Sequence, residues 1–218
     1  ANKIHAQDWS RNRLTLEQTE AVSLALDQKL LLVSGGPGTG KTETLRALVQ
    51  ALILEDQRPS YQRRGQNGFS NGKPRVVLTC PTARAAHVLQ SVTGRQAQTI
   101  HRLLHWSPGR RAFEFGTTRR LEVDTVVVDE ASMIDVDLMA HLCRALPASS
   151  RLILVGDQDQ LPSVGPGSIY RDLMACPAVP RVVLTRIFRQ RSDGSGAETI
   201  AYNAHRVNSG LLPNQYRS

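Results

Sequence analysis

The stretch Gly35-Gly36-Pro37-Gly38-Thr39-Gly40-Lys41-Thr42 constrains this chain more than any other. It fits the P-loop pattern G-x-x-x-x-G-K-[ST], in which glycines let successive backbone N–H groups turn inward and surround phosphate oxygens. In that arrangement Gly36, Pro37, Gly38, Thr39 and Gly40 form the cradle. Lys41 reaches the β- and γ-phosphates, and the Thr42 hydroxyl ligates Mg²⁺. The flanks agree. Lys29-Leu30-Leu31-Leu32-Val33 reads as a buried strand, and Leu45, Leu48, Val49, Leu52 and Ile53 recur at helical spacing. A helix N-terminus then faces the phosphates, and its dipole favours their charge. A glycine-rich turn that matched by chance would lack those flanks.

The rest of the chain alternates strands with helices. Arg75–Cys80, Asp124–Glu130, Arg151–Asp157 and Val182–Thr185 read as further strands. Thr15-Leu16-Glu17-Gln18 fits a capping box that opens a helix, with Gln18 closing the cap. Other helices are expected from Ala83 to before Gly94, in a short piece at 99–104, over 136–146, and over 198–208 with Gly210 as the stop. Residues 1–13 read as a polar lead-in and 55–74 as a mobile, almost wholly polar surface loop in which Arg58, Arg63, Arg64 and Lys73 outnumber Glu55 and Asp56. Residues 105–123 suggest a short hairpin, with Phe113 and Phe115 on one arm and a turn at Gly116-Thr117. Such alternation implies an α/β fold, a parallel sheet with helices on both faces and a small hairpin insertion. Every functional loop then lies on one edge.

The strand ending in Asp129-Glu130 enters two carboxylates. A nucleotide-hydrolysing P-loop protein needs one, Asp129, to hold Mg²⁺ and another, Glu130, to orient and deprotonate water. Thr82 sits where a strand's carboxyl end meets a helix start, the edge that binds ligands in open α/β sheets. The exit after Asp157, from Gln158 to Gly167, is a polar loop on the same edge.

Composition adds bounds. A chain of 218 residues, 40% apolar, suits one large domain. Its net charge of +8 fits a polyanionic partner such as nucleic acid, and equally a basic surface kept for solubility. Cys80, Cys143 and Cys176 are far apart, which suggests neither a zinc site nor a disulfide framework. No apolar run approaches membrane-spanning length and no signal peptide opens the chain, so a cytoplasmic setting is expected.

Seven motifs in order resemble superfamily 1 DNA helicases, and within them the RecD-like group of superfamily 1B that includes the exodeoxyribonuclease V alpha subunit. They are Leu14-Thr15-Leu16-Glu17-Gln18, Gly35–Thr42, Pro81-Thr82-Ala83-Arg84-Ala85-Ala86, Thr99-Ile100-His101-Arg102-Leu103-Leu104, Val128–Met133, Gly156–Leu161 and Phe188-Arg189-Gln190. The resemblance implies a RecA-like P-loop NTPase domain over 14–190 that hydrolyses ATP with Mg²⁺ and moves 5′ to 3′ on single-stranded DNA. It implies that Gln18 reads adenine, that Gln160 senses the γ-phosphate, and that Arg189 is an arginine finger. Thr82, Arg84, Thr99 and His101 would hold the DNA backbone, Ser163 and Val164 would lie against nucleotides, and the 105–123 hairpin would be a strand-separating pin at DNA forks. Nuclease or recombination subunits are implied as partners.

Two departures stand out. Ala83 occupies a position where the group often has glycine. The family's motor also has a second RecA-like domain that this sequence lacks, with 191–218 leading toward it, so a fragment or half-motor is expected. The alternative function is a nucleotide-dependent binding module that docks on a nuclease or conjugation complex without translocating.

Overall fold

The computed structural model describes residues 14–56 and 76–188, together with 203, 206, 207 and 210–212. The chain opens with α1 (Leu16–Asp27), capped as expected: the Gln18 N–H donates to Thr15 Oγ1 at 3.2 Å, and the Thr15 N–H donates to Gln18 Oε1 at 2.9 Å. There follow β1 (Leu30–Gly35), α2 (Lys41–Asp56), β2 (Val76–Cys80), α3 (Ala83–Thr93), β3 (Ala97–Thr99), α4 (Ile100–Leu103), β4 (Trp106–Ser107) and β5 (Ala112–Phe113). Next come β6 (Thr125–Val128), a 3-10 turn (Ala131–Met133), α5 (Val136–Ala145), β7 (Arg151–Gly156), α6 (Ile169–Ala175) and β8 (Arg181–Leu184).

Six strands form one sheet in the order β3-β2-β6-β7-β1-β8, with every pair parallel. Neighbouring residues of each strand point to opposite faces. Leu31, Val33, Val127, Ile153 and Val155 join α1, α2 and α3 in one core. Leu32, Val126, Val128, Leu152 and Leu154 join α4, α5 and α6 in the other. Burial on both faces is why these strands read as unbroken apolar runs rather than alternating ones. Because all six run the same way, their carboxyl ends share one edge.

Two elements escaped the sequence reading. β3 is three residues at the sheet edge with no apolar run, and α6 is seven residues, too short for a helical period to show. The hairpin also differs from expectation. It turns over 108–111, pairing Trp106 with Phe113 and Ser107 with Ala112. At Gly116 the chain bends through a Gly116 N–H to Arg119 carbonyl bond of 2.8 Å, but no second strand pair forms there. Glu55, assigned to the loop, belongs to α2 and pairs with Arg151 at 2.9 Å. The lead-in 1–13, the remainder of that loop from 57 and most of 189–218, Arg189 included, lie outside the described residues. Of the last expected helix, Asn203, Arg206 and Val207 are helical, and Gly210 follows at a φ of 74°.

Candidate functional site

β1 lies between β7 and β8, and beyond its carboxyl end the chain turns through Gly36–Gly40 into α2. Gly40 has a φ of 84°, and a Cβ there would stand 2.6 Å from Gln18 Nε2 and 2.8 Å from Phe188 Cε2. Both conformation and space therefore require glycine. The buried Thr39 braces the loop by donating its hydroxyl to the Gly36 carbonyl at 2.8 Å. Lys41 Nζ donates to the carbonyls of Gly35 and Gly36, the latter at 3.2 Å, and stands 3.8 Å from Asp157 Oδ2. Thr42 is exposed on the first turn of α2. Gln18, 2% exposed, closes its cap and also donates Nε2 to the Gly40 carbonyl at 3.3 Å.

Asp129 follows β6. Its N–H donates to the Thr79 carbonyl at 3.0 Å, and Oδ1 accepts the Glu130 N–H at 2.9 Å. Burial pushes its carboxyl up to about 6. The Glu130 charge adds to the rise, while the Glu130 N–H bond and the Lys41 charge oppose it. The same low polarity, with Asp129 beside it, pushes the Cys80 thiol up to about 12. Glu130 is held at a φ of 55°, a left-handed conformation uncommon for residues other than glycine and typical of functional turns.

Asp157 follows β7 and is 3% exposed. Its Oδ1 accepts the Asp159 N–H at 3.0 Å, and its Oδ2 faces Lys41. The sequence reading gave Asp157 no role of its own. The signal was present, since β7, like β6, runs into an aspartate. Gln160 is exposed, and its Oε1 accepts the Ser132 hydroxyl at 3.1 Å, which joins the loops after β6 and β7.

The residues expected to meet nucleic acid fall on the same edge, mostly toward the β3 end. Thr82 caps α3 by accepting the Ala85 N–H, and Thr99 caps α4 by accepting the Arg102 N–H, each at 3.2 Å. Each threonine keeps its O–H to donate outward. Arg84 and His101 are exposed. Ser163 donates to the carbonyls of Gly165 and Gly167, both at 3.0 Å, which shapes the loop that leaves Val164 fully exposed. In the hairpin, Phe113 and Phe115 pack against the second core, with Phe113 4.8 Å from Trp106 and 4.6 Å from His141. Of the three hairpin aromatics, Trp106 is the exposed one, at 39%, and Arg110 and Arg111 stand at the exposed turn.

A parallel sheet with a glycine loop and lysine after β1, and acidic residues after β6 and β7, defines a P-loop domain of the RecA-like kind. A family profile described as an AAA domain matches residues 18–166, and the chain belongs to that family. It is 38% identical over 174 residues to the RecBCD enzyme subunit RecD of Mycobacterium tuberculosis, a match covering 72% of this chain and 28% of that protein. It is 36% identical over 191 residues to the ATP-dependent RecD2 DNA helicase of Deinococcus radiodurans, covering 84% of this chain and 23% of the relative. The chain thus spans about a quarter of the length of these relatives. Its fold is similar to that of a Bacteroides Pif1 helicase solved with ADP-AlF3 and single-stranded DNA, with a TM-score of 0.57 and 21% identity over 91% of this chain and 47% of that one. Among the described residues no helix is long and apolar enough to cross a membrane.

Proposed function

We propose that the chain is the ATP-binding motor domain of an ATP-dependent 5′–3′ DNA helicase, which hydrolyses ATP to translocate on single-stranded DNA and unwind duplex at forks. The observation that carries this is the convergence of Lys41, Asp129, Glu130 and Asp157 at the carboxyl ends of three adjacent strands, β1, β6 and β7, beside a glycine loop. The flexible Lys41 stem lets its ammonium exchange the Gly35 and Gly36 carbonyls for β- and γ-phosphate oxygens. Asp157 supplies the counter-charge that keeps the ammonium at the loop. Glu130 is the base that orients and deprotonates the attacking water. Gln160 senses the γ-phosphate, and Arg189 stabilises the charge that develops on it.

The donor set fits Mg²⁺. Among the described residues no three His, Cys, Asp or Glu side chains gather as a ligand set. An exposed hydroxyl, Thr42, with one half-buried carboxylate, Asp129, is what Mg²⁺ uses when phosphates and water complete its octahedron. When bound, it would neutralise charge on the phosphate oxygens.

Thr82, Arg84, Thr99, His101, Ser163 and Val164 hold the DNA strand, and the 105–123 hairpin meets the fork through Trp106, Arg110 and Arg111. A second RecA-like domain completes the motor in the whole protein, and nuclease or recombination subunits are its partners. ATP hydrolysis by the full-length protein, measured with and without single-stranded DNA, tests the reading. DNA should stimulate the rate, and Lys41→Ala should abolish it. Hydrolysis that Lys41→Ala leaves unchanged would sink the assignment.

A further inference from the structure

The nucleotide side of the sheet edge has a component whose anchor, Glu17 with Thr185, no motif announced. After β8 the chain does not leave the domain. Residues 185–188 cross the P-loop as a strap, with the Phe188 N–H donating to the Gly38 carbonyl at 3.0 Å and the Phe188 ring against Gly40. The strap is tied at its other end to α1. Glu17 Oε2 accepts the Thr185 N–H at 2.9 Å, and Oε1 accepts the Thr185 hydroxyl. These two bonds hold the Glu17 carboxyl below the usual range, the hydroxyl bond most of all. Glu17 also stands in the first turn of α1, where the helix dipole favours its charge. Its chain neighbour Gln18 touches the same glycine as Phe188. Two consecutive residues of one helix turn thus grip the strap and the loop beneath it.

We propose that Glu17 is a positioning residue for the nucleotide site: with Thr185 it forms a clasp that holds the strap, and with it Phe188, in register over the P-loop. This rests on the P-loop reading. The physical argument is preorganisation. The strap walls one side of the loop through Phe188, and the bond to Gly38 uses a carbonyl, leaving the inward N–H groups for phosphate. A strap without its clasp has to be ordered when nucleotide binds, and that ordering opposes affinity.

The test is titration of this chain with fluorescent ADP and Mg²⁺. Glu17→Ala and Thr185→Ala should each weaken binding roughly fivefold, about the worth of a hydrogen bond or two at a partly exposed site. The double variant should be no weaker than the weaker-binding single, because both remove the same contact. Glu17→Gln should bind close to wild type, since its amide accepts the Thr185 N–H and donates to the Thr185 hydroxyl. Amide exchange at 186–188 should speed up in Glu17→Ala while α2 stays protected. Wild-type affinity and exchange in Glu17→Ala, independent effects in the double variant, or a Glu17→Gln as weak as Glu17→Ala would each overturn the clasp. Equal binding by wild type and Lys41→Ala would instead overturn the P-loop reading beneath it.

Discussion

Gly40→Ala tests the loop geometry most directly. Its φ of 84° lies in the left-handed region, where an alanine costs about 1–2 kcal/mol. The added methyl would also meet Gln18 Nε2 at 2.6 Å and Phe188 Cε2 at 2.8 Å. Overpacking of that kind adds about 1–3 kcal/mol. The sum, about 2–5 kcal/mol, corresponds to a melting temperature lower by roughly 4–20 °C in a domain of this size. Gly36→Ala is the matched control, since nothing lies within 4 Å of its Cβ position and its φ is not left-handed. It should melt like wild type. Thermal melts without nucleotide, followed by circular dichroism, give the answer. In a Phe188→Ala background the Gly40→Ala penalty should shrink by about 1 kcal/mol, because one of the two obstructing groups is gone. If Gly40→Ala melts with Gly36→Ala, neither the loop conformation nor the packing of Phe188 upon it is as described.

Gln18→Ala should lower stability by about 1 kcal/mol through loss of the capping box, and should also narrow the preference for ATP over GTP; nucleotide competition showing unchanged preference would leave Gln18 as a cap alone. Replacing both Arg110 and Arg111 by alanine should reduce the salt dependence of single-stranded DNA binding by about 1.4 in the log–log slope, and an unchanged slope would remove the hairpin turn from the DNA path. Desolvation raises the Asp129 carboxyl from the ordinary 3.8 to about 6, so the folded state holds its proton more tightly. That stabilisation is complete below about pH 4 and lost as pH rises through 6. Urea melts in EDTA should therefore find Asp129→Asn more stable than wild type at pH 7, by an order of 1–3 kcal/mol, and nearly equal at pH 4. A difference that does not depend on pH would contradict the half-buried, desolvated carboxyl.

Much of the fold was legible because its signals are local. β1, β2, β6 and β7 announce themselves as apolar runs, since a strand covered on both faces has no polar side to interrupt it, while the edge strand β8 shows as Val182-Val183-Leu184 although only Val182 and Leu184 are buried. Thr15, Thr82 and Thr99 sit where helices begin because a hydroxyl there satisfies an open N–H of the first turn. The P-loop, Asp129 and Glu130 follow from residue types at fixed spacing. The hairpin turn was misplaced although Pro108-Gly109 marks it, because Gly116-Thr117 carries a competing turn signal. What no local pattern contains is which strand lies beside which. Lys41 meets Asp157 only because β7 pairs with β1, and Glu17 meets Thr185 only because β8 takes β1's other side. Those contacts join residues more than a hundred positions apart. Burying both faces of one parallel sheet is what selects them, and that selection is a property of the whole packed chain.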